Sequence, residues 1–225
     1  MIPFFAQHLY FLSCLYFLIL FLGTFFFIQD RTTRKHVLVV SLVFAIANLF
    51  IRHMYADWWN PVFVWKPIPF EDPLFTFVVT GFITSLYAVI NRHFKREIVI
   101  EFSRTYKIFI ILGSIIAIFG SFYILLIGSF WATIVTMLFV SIFVFFKIPQ
   151  VLKSVLITAI IVTIISVPGY LYGTYLHPGW IQEYWTLSGL PSKLLFGIPV
   201  GEYAFYFFDT FLTVAIYELL FRKKI

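Results

Sequence analysis

Seven long apolar segments constrain this chain more than any other feature of its sequence. The stretch between Lys107 and Lys147 has no charged residue and is nearly twice as long as one bilayer crossing, which takes about 20 residues. It must therefore fold back, with Gly128-Ser129 as the predicted turn and Gly120-Ser121 as the alternative. The segments cover 9–28, 37–51, 74–90, 108–127, 130–146, 154–171 and 203–221.

Composition supports the same fold class. Hydrophobic residues make up 62% of the 225 residues and charged residues only 12%, against about 25% charged in an average soluble domain. A soluble, disordered or disulfide-stabilised chain is thereby excluded, and the single cysteine, Cys14, lies within the first apolar segment. The sequence predicts an all-α, polytopic membrane protein with seven transmembrane helices.

The distribution of Lys and Arg predicts how the chain is oriented. Placing the N-terminus outside puts all but three of the 16 Lys and Arg residues on the inner side, as the positive-inside rule requires. The exceptions are Arg52, Lys66 and Lys193. The sequence thus predicts a multi-pass protein of the cell membrane with a cytoplasmic C-terminus. Its net charge of +6 reflects a basic face toward membrane lipid, and no nucleic acid partner is expected.

An internal repeat joins the third and seventh segments. A shift of 130 residues, without a gap, aligns Asp72 with Glu202 and matches identical residues on both sides of that pair. The identities are Ile68 with Ile198, Pro69 with Pro199, Phe75 with Phe205, Phe77 with Phe207, Thr80 with Thr210, Tyr87 with Tyr217 and Arg92 with Arg222. We expect a parallel 3+1+3 repeat: residues 1–92 (spans one to three), a connector at 93–127 with span four, and residues 128–225 (spans five to seven).

Acidic residues at the starts of the repeated spans are the candidates for chemistry. Glu71 and Asp72 open the third span, and Glu202 opens the seventh. Asp209 follows about 10 Å deeper on the helix face of Glu202 and Phe205. Burial and a neighbouring acid both favour a protonated carboxyl group, which can donate its proton to a weakly basic atom.

Alternatives stay open for these acids. Asp72, next to Pro73, is also a good helix N-cap, and Asp209 could simply hydrogen-bond a nearby Tyr or Thr. Arg52 and His53 end the second span on the same side and could pair with Glu71 or Asp72.

Two loops, 52–73 and 172–202, contain most of the tryptophans. We interpret them mainly as an interfacial aromatic belt, with a lid over a site as the alternative. Since the five His residues have no ligand spacing and no Gly-rich phosphate loop occurs, no metal and no cofactor are expected.

Proline, a hydrophobic residue and acids before a Phe-rich helix occur twice, at 69–77 and 199–207. This pattern resembles the membrane-integral, flavin-independent lycopene cyclases of archaea, actinobacteria and fungi. The family pattern has a second acid where this chain has Gly201. The resemblance implies a linear carotenoid substrate and a non-redox lycopene β-cyclase reaction, in which a terminal alkene is protonated, a ring closes and a proton is lost.

On that reading Glu71, Asp72 and Glu202 are the catalytic acids. The substrate would contact Phe75, Phe77, Tyr203, Phe205, Phe207 and Asp209. Self-association, or association with other carotenoid enzymes, stays open.

Two other functions fit seven spans. A small-solute transporter of 3+1+3 layout is the alternative, because Pro149-Gln150 is similar to the Pro-Gln loop of such carriers. A retinal-binding rhodopsin is excluded, since residues 203–221 contain no Lys for a Schiff base.

Overall fold

The computed structural model describes residues 4, 8–64, 70–94, 101–186 and 190–221. Within these residues, seven helices are long and apolar enough to cross a membrane, as predicted. They are α1 (Leu9–Phe26), α2 (Arg31–Tyr55), α3 (Glu71–Arg92), α4 (Arg104–Phe119), α5 (Ser129–Lys147), α6 (Leu152–Leu176) and α7 (Val200–Phe221). A 3-10 turn, Pro149–Val151, leads into α6, and a second one covers Leu190–Ser192.

Polar capping residues decide where several helices begin. The Asp30 carboxylate accepts hydrogen bonds from the amides of Thr32 (3.2 Å) and Thr33 (2.7 Å), so α2 starts at Arg31, ahead of the apolar segment predicted from residue 37. Ser103 caps α4 in the same way, through the Tyr106 amide.

The turn predicted at Gly128-Ser129 is confirmed. Helix α5 begins at Ser129, whose amide donates to the Asp57 carboxylate over 2.8 Å. The alternative site, Gly120-Ser121, instead opens a π-helical turn, Gly120–Ile124, at the end of α4.

Helices α3 and α7 each pack against two further helices. Helix α3 packs against α1 and α2, and α7 packs against α5 and α6. The two groups meet where α3 contacts α6 and α7, and where α7 contacts α2. Weaker contacts join α1 to α6 and α2 to α5, whereas α4 packs against α5. This arrangement places α3 and α7 side by side in the interior.

Two loops join each other at the end of the bundle where α1, α3, α5 and α7 begin, which we call the acid end. The Asn60 amide donates to the Tyr184 carbonyl (2.9 Å), and the Thr186 amide donates to the Trp58 carbonyl (3.0 Å). The second loop contains a short helix, Trp180–Tyr184, and a two-stranded antiparallel hairpin, β1 (Leu194–Leu195) and β2 (Ile198–Pro199). At its tip, Phe196 and Gly197 both have positive φ, a conformation that glycine adopts without strain.

Four tryptophans of these loops pack together as a tryptophan cluster: Trp58, Trp59, Trp180 and Trp185. The rings of Trp58 and Trp185 lie 4.9 Å apart, and exposures of Trp58, Trp180 and Trp185 are only 5%, 4% and 7%. The interfacial-belt interpretation was therefore wrong for these three residues, which are buried in protein at the acid end. Only contacts between distant segments of the chain create this burial, so the composition of each loop could not indicate it.

Some predictions lie outside the described residues. They concern Trp65, Lys66, Pro67, Ile68, Pro69, Lys95, Arg96, Arg222, Lys223 and Lys224. The match of 68–69 with 198–199 and part of the charge argument therefore stay predictions.

Candidate functional site

Asp72 lies in the first turn of α3 and pairs with Arg52. Helix α3 begins at Glu71, so the alternative in which Asp72 is the N-cap does not hold. Its carboxylate instead accepts a hydrogen bond from Nε of Arg52, as the sequence allowed, and it interacts with the Tyr10 hydroxyl from α1. The Arg52 guanidinium also lies over the Phe63 ring, 5.0 Å from its centroid. Asp72 is thus a buried acid with a cationic partner.

Glu71 fastens the first of the two loops to the same helix turn. Its side chain is fully buried, and its Oε1 accepts a hydrogen bond from the Val64 amide. Its backbone carbonyl accepts a weak hydrogen bond from the Cys14 thiol on α1, with 3.6 Å between sulfur and oxygen. Glu71 therefore connects α1, α3 and the loop, and orients the turn that holds Asp72.

Glu202 occupies the equivalent turn of α7 and is bound by a phenol rather than by a cation. The Tyr170 hydroxyl from α6 donates to Glu202 Oε2, and Tyr170 also interacts with the Tyr206 hydroxyl. The Tyr170 ring stacks on Trp180 of the tryptophan cluster, with centroids 5.6 Å apart. Deeper on the same face, Asp209 is buried beside the Thr213 hydroxyl, one of the alternatives left open by the sequence.

Aromatic rings connect the two acids. Tyr10, the partner of Asp72, lies 5.2 Å from the Phe75 ring, and Phe75 lies 5.7 Å from Phe17. Phe17 in turn stacks on Tyr206 at 5.6 Å. The two acids thus belong to one buried network, but each has its own tyrosine partner.

The predicted aromatic residues divide into two groups. Phe75 lies in the network, and Phe205 lies beside it, 5.9 Å from the Trp58 ring. The other three face different neighbours. Phe77 packs against Phe21, Phe207 packs against Phe208 and Phe211, and the Tyr203 hydroxyl donates to the Leu195 carbonyl over 3.0 Å.

Gly201 stands where the resemblance predicts a second acid, and the packing around it leaves no space for a side chain. A Cβ at this position would lie 2.8 Å from a ring carbon of Trp185 and 3.1 Å from the Pro191 carbonyl oxygen. Because the tryptophan cluster and the backbone already fill this space, a side chain does not fit here.

Sequence reasoning missed the tyrosines and one acid. Tyr10, Tyr170 and Tyr206 look like ordinary members of an aromatic-rich chain, although the spacing of Glu202 and Tyr206 by four residues places them on one helix face. Glu218 is a further buried acid on α7, and it accepts a hydrogen bond from the Tyr87 hydroxyl of α3 over 2.6 Å. An acid within an apolar span is rare, so the position of Glu218 in the seventh segment was the sequence signal that could have identified it.

Among the described residues, no three His, Cys, Asp or Glu side chains are grouped so that they could hold a metal ion. Outside the spans, burial and the nearby Glu183 raise the pKa of the Tyr184 phenol beside the tryptophan cluster.

Comparison of the chain with protein-family models, curated proteins and solved structures found no significant match.

Proposed function

We propose that this protein is a carotenoid end-group cyclase of the lycopene β-cyclase type, which acts within the membrane on a linear carotenoid. The observation that carries the proposal is the pair of buried acids, Asp72 and Glu202, at the starts of α3 and α7. Each has a tyrosine partner, Tyr10 for Asp72 and Tyr170 for Glu202, and aromatic rings lie between them. A site of carboxyl groups and aromatic walls suits protonation of an alkene and stabilisation of the resulting cation.

The helix contacts support the proposed 3+1+3 repeat. Exchanging α1 with α5, α2 with α6 and α3 with α7 converts each contact between different helices of the two groups, other than α3–α7 itself and the contact of α4, into another that is present. The contact α1–α3 becomes α5–α7, α2–α3 becomes α6–α7, and α3–α6 becomes α7–α2. Helix α4 has no counterpart, as a connector should have none. This is the pattern that a pseudo-two-fold axis along the bundle produces.

Two repeat-related residues also meet directly. Tyr87 of α3 and Tyr217 of α7 are equivalent in the proposed alignment, and their rings lie 6.0 Å apart in an edge-to-face contact. Equivalent residues touch each other only close to a symmetry axis. This contact supports an axis between α3 and α7, which would relate Asp72 to Glu202 at the acid end.

The proposed reaction is an isomerisation in three steps. A carboxyl group gives its proton to the terminal alkene, so that its O–H bond breaks, a C–H bond forms and a tertiary cation results. A neighbouring alkene then attacks the cation and closes a six-membered ring. Finally, a carboxylate removes a proton from the ring and restores a double bond. Because a proton is gained and a proton is lost, the product has the mass of the substrate.

The surroundings of the acids suit such a cation. Phe17 and Phe75 lie between the two polar groups, and their faces can stabilise positive charge. The tryptophan cluster closes the acid end, which keeps water from capturing the cation before the ring closes. We place the acid end at the outer face of the cell membrane, following the distribution of Lys and Arg.

Expression in bacteria that accumulate lycopene tests the proposal. We expect cyclic carotenoids in the extract, with a strong reduction for Glu202→Gln and for Asp72→Asn. Glu183→Gln is the matched control, because Glu183 is an exposed acid that pairs with His177 over 3.2 Å. Unchanged lycopene from a well-expressed protein would contradict the proposal and favour the transporter alternative.

A further inference from the structure

We infer that the two acids have different charge states and therefore different roles: Arg52 keeps Asp72 as the carboxylate that removes a proton, and burial without a cationic partner keeps Glu202, which Tyr170 orients, as the un-ionised acid that donates one. This inference rests on the proposed function, which by itself leaves the roles open. Arg52 and Tyr170 are positioning residues, since each acts through its acid.

The surroundings of Asp72 favour an ionised group. Its side chain forms an ion pair with Arg52, whose own side chain is 36% exposed and so remains well hydrated. The phenol of Tyr10 adds a donor from α1. The other titratable groups near Asp72 are Glu71, Cys14 and Tyr55. Arg52 is the one cation among these described neighbours, and its attraction opposes the cost of burying the carboxylate.

The surroundings of Glu202 favour the un-ionised form. Of the described residues, no Lys, Arg or His has a nitrogen within 4.0 Å of its carboxyl group, which is only 6% exposed. Its titratable neighbours are Tyr170 and Tyr206. A buried carboxylate without a cation is costly, whereas a neutral carboxyl group can accept the Tyr170 hydrogen bond on one oxygen and keep its proton on the other.

The difference in charge state between the two acids sets the order of the two proton transfers. Glu202 loses its proton to the alkene, and Asp72 takes a proton from the cyclised cation. After one turnover Glu202 is ionised and Asp72 is protonated. Before the next turnover Asp72 must therefore lose a proton and Glu202 must regain one, with Tyr10 beside the first acid and Tyr170 beside the second.

Infrared spectroscopy of the purified protein without carotenoid tests the charge states. We expect Glu202→Gln to remove a carbonyl band of a protonated carboxyl group, identified by its shift in heavy water, and Asp72→Asn to leave that band in place. Arg52→Gln should create a second such band, which disappears in the double variant Arg52→Gln/Asp72→Asn. Tyr170→Phe should move the Glu202 band, because it removes the hydrogen bond to that carboxyl group.

Arg31→Gln is the matched control, since Arg31 begins the helix whose other end holds Arg52, and it should leave the spectrum unchanged. Loss of the band in Asp72→Asn but not in Glu202→Gln would overturn the inference, as would an unchanged spectrum of Arg52→Gln. If some variants fail to fold, Tyr170→Phe still tests Glu202 and Arg52→Gln still tests Asp72. The spectra need no turnover, so a failed cyclase assay would refute the proposed function and leave the charge assignment standing.

Discussion

Replacing Gly201 by alanine tests the packing at the acid end. The new methyl group would lie 2.8 Å from a ring carbon of Trp185, and 3.1 Å from both Cβ and the carbonyl oxygen of Pro191. Trp185 cannot easily move, because its ring is held against Trp58. Overpacking of this kind costs about 1–3 kcal/mol. Helix propensity offsets about 1 kcal/mol at most, so we expect the free energy of unfolding to fall by about 1–2 kcal/mol.

Denaturant unfolding in detergent, followed by tryptophan fluorescence, measures this change. Gly23→Ala is the control, because a Cβ on Gly23 meets nothing within 4 Å and should leave stability unchanged or slightly higher. Equal stability of Gly201→Ala and Gly23→Ala would refute the reasoning. The same clash predicts that Gly201→Asp, with its larger side chain, lowers stability still further.

Two further substitutions test other buried and capping contacts. Tyr87→Phe leaves the buried Glu218 without its 2.6 Å donor, so we expect a loss of about 1–3 kcal/mol, and a double-mutant cycle with Glu218→Gln should be non-additive. The hydroxyl and amide of Thr33 lower the pKa of Asp30, so its stabilising effect is present above the unfolded-state pKa and is lost as the pH falls through the folded-state pKa. Asp30→Asn should therefore reduce the loss of stability on the acid side of a stability–pH profile. Additive effects of the Tyr87 and Glu218 substitutions would contradict the first expectation. A stability–pH profile that Asp30→Asn leaves unchanged would contradict the second.

The seven helices were predictable because hydropathy over about 20 residues is a strong, local signal. The bounds of the helices were less predictable, because a helix extends into polar residues where a side chain caps it. Asp30, for example, caps α2 and allows that helix to start at Arg31. The start of α3 also decides against Asp72 as an N-cap, although this helix has no side-chain cap. Helix α3 starts ahead of the apolar segment, which puts Asp72 inside the first turn rather than before it.

The acids of the candidate site were visible as rare charges in an apolar chain, but their partners were not. Tyr10 and Tyr170 belong to helices far from Asp72 and Glu202 in sequence, and nothing in an aromatic-rich composition distinguishes them. The pairing of Asp72 with Arg52 was one of several alternatives, since charge complementarity alone did not choose between Glu71 and Asp72. Tertiary packing determines these contacts.

Conversion of lycopene by the purified protein in lipid vesicles, with no cofactor added, tests the central claim most directly. We predict a ring-containing product with the mass of lycopene, and no product from the double variant Asp72→Asn/Glu202→Gln. Intact lycopene after incubation with folded protein, or a product of altered mass, would contradict the account.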